Sequence, residues 1–475
     1  MKKKLIVIGI IVAALIGVST IATFIFLGNP QNATEYAIYD TFQEVSSNDV
    51  ASLLLSSVNG GSVEVNYSRG SVPEDQKGNV YNWQEEIKGK IYFDLENYSV
   101  TAEDVSVVFW HMGLTQQTVQ GDAVIGLDKI WGDINDEKYG IEKGEAEKNF
   151  LRSEYIGRAI GGEYGEELYR VLQALAILYD NEDAEELIEA LQKESEAYTK
   201  QQIKLCFEYA EVSDTHEVVR LADGRVESRV VKLVLDDEAA EDIQKDLAIY
   251  LEEREELREL LYEYEDFFIA LSGKNPNDGD IDDIFEEYLD SMKEKAEEDV
   301  DYSYTIEIMT KKSLPVLLAF SVELEIEDEK IEIIDLRGDS NGLAKSKAIE
   351  CFCYEERLFE YKLQEDSGKT FKASLTIGED LKINYKRDKK TGDFKLDGGE
   401  DFKASGTLDY SKKELFFELD SLTFGEEEFA FKEATLVIKN KDNAPEYGGS
   451  CTEILTMDEE KWSKFRMYMD VFLYW

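Results

Sequence analysis

Histidine and proline are scarce in this chain, and each shortage argues against a class of function. The two histidines, His111 and His216, are too few for a multi-histidine metal site. A histidine-dependent catalytic triad would also need partner residues that the sequence does not single out. Five prolines in 475 residues argue against a proline-rich stalk that crosses a cell wall.

Cysteine is also rare, with only Cys206, Cys351, Cys353 and Cys451. Their spacing fits neither a redox Cys-x-x-Cys pair nor a zinc site. Two interpretations stay open: the four side chains are buried as small apolar groups, or Cys451 takes part in a single disulfide. The second requires an oxidising compartment, as outside the cell.

Positive charge is outnumbered, since 52 lysines and arginines stand against 102 acids and give a net charge of −50. A surface this acidic repels nucleic acid and attracts cations, so we expect no nucleic-acid partner. Hydrophobic residues make up 43% of the chain and aromatic residues 11%, which is enough for a packed core. The chain is therefore not of the disordered class.

One long uncharged run, Leu5–Leu27, follows Lys2, Lys3 and Lys4. At ~1.5 Å per residue, a helix of this length spans the ~30 Å hydrocarbon core of a bilayer. The run is longer than the apolar region of a signal peptide, although cleavage at 19–22 is an alternative. The lysines before it predict a single-pass membrane protein with a cytoplasmic N-terminus and an extracellular body.

Hydrophobic periodicity predicts an α+β protein in which two antiparallel curved β-sheet modules are covered by helices. We expect an anchor at 1–28, an N-terminal α+β domain at 29–273, a linker at 274–280, and a C-terminal antiparallel meander with a final helix at 281–475. The first domain carries a helical insertion at about 145–210, in which we expect one helix capped by Asn181 and another at Tyr198–Ala210. The strands expected in the meander include 369–377, 381–387 and 393–397.

Three local patterns predict particular elements. Asp223-Gly224 supplies the positive φ of a tight hairpin turn. The apolar stripe of Glu238–Leu271 predicts one long helix. Thr456 and Glu459 form a predicted capping box for the C-terminal helix, which we expect to pack in the concavity of the second sheet.

Several short segments follow one another along the chain in a recognisable order: Leu53–Val65, Tyr139-Gly140-Ile141, Asn149, Ser153, the Asp223-Gly224 hairpin and the leucines Leu247, Leu257, Leu260 and Leu261. Their order resembles a family of membrane-anchored extracytoplasmic proteins of unknown function from Gram-positive bacteria. The likeness covers most of residues 1–300 and implies no activity. The sheet-plus-helix layout is similar, at the level of the fold, to lipoprotein-carrier half-barrels.

We single out no catalytic, cofactor-binding or metal-ligating residue. Asn277–Asp282 has the oxygens of a calcium loop, but Lys274 and Phe285 occupy the positions where such a loop needs acids. Weak adventitious Ca²⁺ binding there, or at Asp236–Glu238, is the only cofactor expectation. The alternative is a linker in which Asp280 caps a helix.

Two further segments could contact a ligand. Arg337-Gly338-Asp339 is an adhesion-type tripeptide on a predicted turn. The second segment is the basic hairpin of an otherwise acidic chain, formed by Lys386, Arg387, Lys389 and Lys390. It either contacts an anionic polymer or headgroup or is a solvated turn balanced by nearby carboxylates.

These features predict a non-enzymatic, membrane-anchored binding or envelope-associated module. Its partners would be the membrane through Leu5–Leu27 and either an envelope protein or an apolar ligand held between sheet and helix. The alternative is a hydrolase of cell-wall polymers that uses two carboxylates, which cannot be selected among the 102 acids.

Overall fold

The computed structural model describes residues 41–473 except 42, 47–48, 70–85, 112–114, 154–164, 278, 295–301, 313–315, 327–328, 355, 380, 426 and 430. The predicted anchor Leu5–Leu27 lies outside these residues. Among the helices of the described part, none is long and apolar enough to cross a membrane. The described chain is of mixed α+β class with a large antiparallel sheet.

The described residues form 21 strands that belong to one sheet. The strands are β1 Asn59–Arg69, β2 Glu86–Asp94, β3 Ser99–His111, β4 Thr115–Gly126, β5 Ile130–Ile134, β6 Glu137–Ile141, β7 Glu211–Leu221, β8 Gly224–Asp236, β9 Tyr302–Lys311, β10 Leu317–Ile326, β11 Glu329–Arg337, β12 Ala348–Cys353, β13 Glu356–Asp366, β14 Thr370–Ile377, β15 Leu381–Asp388, β16 Asp393–Asp397, β17 Phe402–Tyr410, β18 Glu414–Phe424, β19 Glu427–Phe429, β20 Phe431–Lys439 and β21 Thr452–Glu453.

The helices cluster in three places: before β1, between β6 and β9, and at the C-terminal end. They are α1 Asp49–Ser57, α2 Ala146–Arg152, α3 Gly165–Asp180, α4 Ala184–Tyr209, α5 Asp237–Glu252, α6 Glu255–Glu263, α7 Glu265–Leu271, α8 Ile281–Glu294 and α9 Glu459–Leu473. Three of them, α2, α3 and α4, lie in the segment of about 145–210 for which a helical insertion is predicted.

The expectation of two separate sheets is wrong, because β1 joins them. This strand pairs with β2 on one side and with β20 on the other, so that Val63 lies opposite both Ile91 and Ile438. An isolated edge strand leaves a row of N–H and C=O groups unpaired, and the β1–β20 pair satisfies two such edges at once. From β1 the sheet continues through β2 to β6 in one direction and through β20 and β18 to β7 in the other.

The domain boundary at 274–280 stays a prediction. Strands from the two sides of this segment pair at β8–β9, at β1–β20 and at β6–β21. The first two pairs are antiparallel and the third is parallel. Any division into domains must therefore allow for a sheet that is continuous across the segment.

The predicted long helix Glu238–Leu271 is three helices, α5, α6 and α7. The first break is at Arg254, which has extended backbone angles. Its guanidinium donates two hydrogen bonds to Glu194 on α4, at 3.1 and 2.7 Å. The change of direction lets Leu260 and Phe267 pack with Leu187 in one buried cluster. By contrast, α4 is one helix where two were predicted.

The C-terminal helix α9 was expected to pack on the second half of the sheet, but it does not. Tyr468 and Phe465 pack instead on Tyr139 of β6 and Val119 of β4, with the Phe465 and Tyr139 rings 5.1 Å apart. The short pair β21–β6 explains this placement, because it brings the chain to β6 just before the helix begins. The helix is capped by Asp458, which accepts a bond from the Lys461 N–H, and not by Thr456.

Candidate anion-binding site

Three lysines lie directly opposite one another on adjacent strands of the C-terminal meander. Lys372 on β14 is paired with Lys386 on β15, and Lys386 is paired with Lys395 on β16. The line continues through Ser405 on β17 to Ser421 on β18. Paired residues of antiparallel strands have Cβ atoms roughly 5 Å apart. These five residues are referred to below as the lysine row.

The opposite face of the same strands fixes this register. Phe371, Tyr385, Phe394 and Phe417 form a continuous aromatic line there, with neighbouring ring centroids 5.8, 6.3 and 5.4 Å apart. Side chains alternate between faces, so a slip of one residue would place a lysine among these rings. The aromatic packing therefore determines that the lysines share the other face.

The lysine row borders a surface depression of about 450 Å³, which Lys403 and Asn384 also line. Ser405 and Ser421 contribute hydroxyl groups whose oxygens are 2.8 Å apart. Ammonium groups and hydroxyl groups both donate hydrogen bonds to anions. The depression thus combines positive charge with neutral donors in one shallow surface.

The charge of the lysine row is only partly neutralised. Lys372 pairs with Glu365, the residue opposite it on β13, at 2.6 Å, and this hydrogen bond lowers the pKa of Glu365. Lys386, Lys395 and Lys403 form no ion pair with any residue in the described part of the chain. Like charges placed directly opposite each other destabilise a strand pair. A bound anion would remove this repulsion.

Only one member of the predicted basic hairpin belongs to the lysine row, namely Lys386. Arg387 points to the other face, is 7% exposed and lies over the Tyr410 ring at 4.5 Å. Lys389 pairs with Asp366. Sequence reasoning missed Lys372 and Lys395 because they are separated from Lys386 along the chain. The short connections after Ile377 and Asp388 were the signal that could have aligned them.

The adhesion-type tripeptide does not present its charged side chains. Asp339 is 3% exposed, and its carboxylate accepts bonds from the N–H groups of Asn341 and Lys347, both at 2.7 Å. Arg337 is paired with Asp335 through its guanidinium. Both charges of the tripeptide are therefore used inside the fold.

The two segments with calcium-type oxygens act as helix caps. Asp280 accepts a bond from the Asp282 N–H at 2.9 Å at the start of α8, which confirms the capping interpretation. Asp236 accepts one from the Ala239 N–H at 2.8 Å at the start of α5. Within the described ranges, no group of three or more histidine, cysteine or acidic side chains could hold a metal ion.

All four cysteines are free thiols, so the disulfide alternative at Cys451 is not found. The other interpretation, burial as small apolar groups, does not hold for Cys451, which is exposed. The Cys351 side chain is buried. The Cys206 thiol is partly buried, and its own burial raises its pKa to about 11. His216 lies exposed on β7, opposite Arg229 of β8. The side chain of His111 lies outside the described residues.

Two other depressions bear on the functional alternatives. One of about 280 Å³ is lined by Asp122 and Asp133, which lie opposite each other on β4 and β5. The other, of about 320 Å³, lies among α3, α4 and α7 and is lined by Leu178, Leu187 and Phe267 together with acidic side chains. The first contains paired carboxylates, and the second contains apolar surface.

Comparisons with protein-family models, with curated protein sequences and with solved structures find no match for this chain. The resemblances to a membrane-anchored family and to lipoprotein-carrier half-barrels therefore stay expectations from the sequence. The geometry of the site alone carries the functional argument.

Proposed function

We propose that this chain is a membrane-anchored extracytoplasmic protein with a binding function, and that the lysine row holds an anionic component of the cell envelope. The observation that carries the proposal is the direct opposition of Lys386 and Lys395, which form no ion pair with described residues. The membrane attachment would be provided by Leu5–Leu27.

The composition of the chain makes this opposition informative. With 102 acids available, a glutamate at either position would replace a repulsion with an attraction. Both side chains are exposed, so packing does not require a lysine at either position. A binding partner gives a physical reason for the positive charge that the fold does not.

The ligand class follows from the spacing. Ammonium groups bind phosphate as compact point charges, and neighbouring members of the row are ~5 Å apart. Closely spaced phosphates, in a polymer or in clustered lipid headgroups, can contact several of these groups at once. A single carboxylate can neutralise only one or two.

The test is binding of the full chain, in neutral detergent, to fluorescent inorganic polyphosphate. The charge-reversed pair Lys386→Glu with Lys395→Glu should bind at least tenfold more weakly than the natural chain. The matched control is Lys382→Glu with Lys413→Glu, which changes the net charge equally at exposed positions outside the row. A second arm replaces polyphosphate with phosphatidylglycerol vesicles and separates a headgroup from a soluble polymer.

Equal loss of affinity in the two double variants would show that only net charge matters and would refute the proposal. Absence of binding to both probes by the natural chain would refute the phosphate class. Loss of affinity in the row variant alone would support the site. The arm that shows this loss would identify the phosphates as those of a soluble polymer or of a lipid headgroup.

The hydrolase alternative is favoured by one observation, the paired Asp122 and Asp133 beside a depression. Glycoside hydrolysis uses two carboxylates that flank the scissile bond. If this is the activity, Asp122→Asn and Asp133→Asn should each abolish release of reducing ends from purified wall polymer. Asp128→Asn, at an exposed position nearby, is the control.

An apolar ligand remains a further form of the binding proposal. The depression among α3, α4 and α7 is the described surface that would hold it, between helices and not between sheet and helix. Mass spectrometry of lipids that co-purify with the full chain is the direct test. Reproducible absence of lipid would refute this form.

A further inference from the structure

Strand β7 ends the sheet and has an open edge. Its only strand partner in the described part of the chain is β8. Residues 211–218 are all exposed, although the strand is regular over its whole length. A long exposed edge presents unpaired N–H and C=O groups to another strand.

The ladder with β8 shows which residues present those groups. Leu221 and Gly224 close the hairpin around a two-residue turn, so they exchange hydrogen bonds with each other. No bulge interrupts the pairing from Leu221 back to Glu211. Because bonding direction alternates along a strand, Val212, Asp214, His216 and Val218 direct their backbone groups away from β8.

The side chains of these four residues are arranged symmetrically. Val212 and Val218 are 52% and 67% exposed, which is unusual for β-branched apolar residues. Between them lie the acidic Asp214 and the basic His216. All four share one face of the strand, with Thr215 at the centre of the segment.

We propose that two copies of this chain pair β7 to β7 in antiparallel orientation about a twofold axis at Thr215. In this register Val212 lies opposite Val218 of the second copy, and Asp214 lies opposite His216. Each exposed valine gains an apolar neighbour, and each imidazole gains a carboxylate. Asp214 keeps its two hydrogen bonds from Arg229 of β8, at 2.8 and 2.7 Å.

Neighbouring registers are less complementary. An axis at His216 would place the two imidazoles against each other and Asp214 against Val218. An axis at Asp214 would place two carboxylates against each other. Only the axis at Thr215 gives both valines an apolar neighbour and each imidazole a carboxylate, and this self-complementarity favours a second copy over an unrelated peptide.

The register can be tested by cysteine crosslinking of the full chain. In a Cys451→Ser background, which removes the exposed native thiol, Thr215→Cys places two thiols at the axis. Ser213→Cys is the matched control, because Ser213 would lie opposite Glu217 and roughly 13 Å from its own copy. Disulfides require Cα atoms within ~7 Å. We expect at least tenfold more crosslinked dimer from Thr215→Cys.

Light scattering in neutral detergent gives an independent measurement of mass. The natural chain should be a dimer, and Val218→Lys should make it a monomer, since lysine on an edge strand opposes pairing. Ile125→Lys, at a strand residue 63% exposed elsewhere in the sheet, should leave the dimer intact.

A monomeric natural chain at all concentrations tested would overturn the proposal. Equal crosslinking from Ser213→Cys and Thr215→Cys would overturn the register. A dimer that survives Val218→Lys would place the interface elsewhere. None of these outcomes depends on whether the lysine row binds phosphate.

Discussion

Replacing Lys386 with glutamine should stabilise the sheet locally, although it removes a charge from the proposed site. Lys386 is the central lysine of the row, with Lys372 on one side and Lys395 on the other. Glutamine keeps most of the side-chain length and removes only the charge. The expected gain in stability is therefore a direct measure of the repulsion within the row.

The magnitude follows from the strand spacing. Two unit charges ~5 Å apart in water repel by about 0.8 kcal/mol. A Debye length of ~8 Å at physiological salt lowers this to about 0.4 kcal/mol per neighbour. Glu365 already offsets part of the Lys372 charge. The local gain should therefore be about 0.5 kcal/mol at physiological salt and about 1 kcal/mol at low salt.

Hydrogen exchange of β14–β16 measures this free energy where it acts. The Lys386→Gln variant should slow exchange of these amides roughly twofold at physiological salt and roughly fivefold at low salt. In 1 M salt, where the Debye length is ~3 Å, the difference should vanish. Lys382→Gln is the control, because Lys382 lies on the same strand and faces Thr376 instead of a lysine.

Equal effects of Lys386→Gln and Lys382→Gln would refute the reasoning. So would a gain that persists in 1 M salt, because it would then arise from strand propensity and not from charge. Faster exchange in Lys386→Gln would mean that the lysines already avoid each other by pointing apart. In that case the row would not concentrate positive charge.

Three further predictions test the packing. Tyr468→Ala should cost about 3 kcal/mol and accelerate exchange in β4–β6 but not in β14–β16, because α9 packs on the former. Burial opposes ionisation of Asp442, but bonds from Lys90 and Ser62 hold its pKa below the usual range. That stabilisation is present above pH ~4 and is lost as the pH falls through the pKa of the folded state. The decrease in melting temperature on acidification should therefore be smaller in Asp442→Asn than in the natural chain. Asp339→Ala should lower the melting temperature and leave cell adhesion unchanged, because its carboxylate bonds only within the fold.

The C-terminal meander was predictable because its information is local. Short turns connect its strands, and strands such as β15 and β16 alternate apolar residues with polar or charged ones. The predicted strands at 381–387 and 393–397 are β15 and β16 almost without change. The hairpin predicted at Asp223-Gly224 is present for the same reason, although its two turn residues are Ala222 and Asp223 and Gly224 already pairs with Leu221.

The long-range contacts were not predictable from local patterns. Nothing in β1 indicates that its second partner is β20, which lies near the other end of the chain. The position of α9 depends on the two-residue pair β21–β6, which has no periodic signal of its own. The break at Arg254 depends on Glu194 of another helix, so the apolar periodicity alone predicts an unbroken helix there.

The candidate site falls between these two cases. Each lysine of the row lies in a correctly predicted strand, but the site is a property of how three strands are aligned. That alignment is set by Phe371, Tyr385 and Phe394 on the opposite face. Pairing the strands turn by turn places the three lysines opposite one another.

The two faces of β14–β16 therefore meet different constraints. The aromatic face stabilises the sheet and fixes its register, which leaves the exposed face free to carry residues that stability does not favour. An anion that binds the lysine row binds the folded state alone and stabilises it by about 2.7 kcal/mol at one hundred times its dissociation constant. Because Lys386→Gln should be more stable without the anion and should bind it less, polyphosphate should slow exchange in the natural chain more than in the variant. A ligand effect of equal size in both chains would show that the charge of the row does not bind the anion.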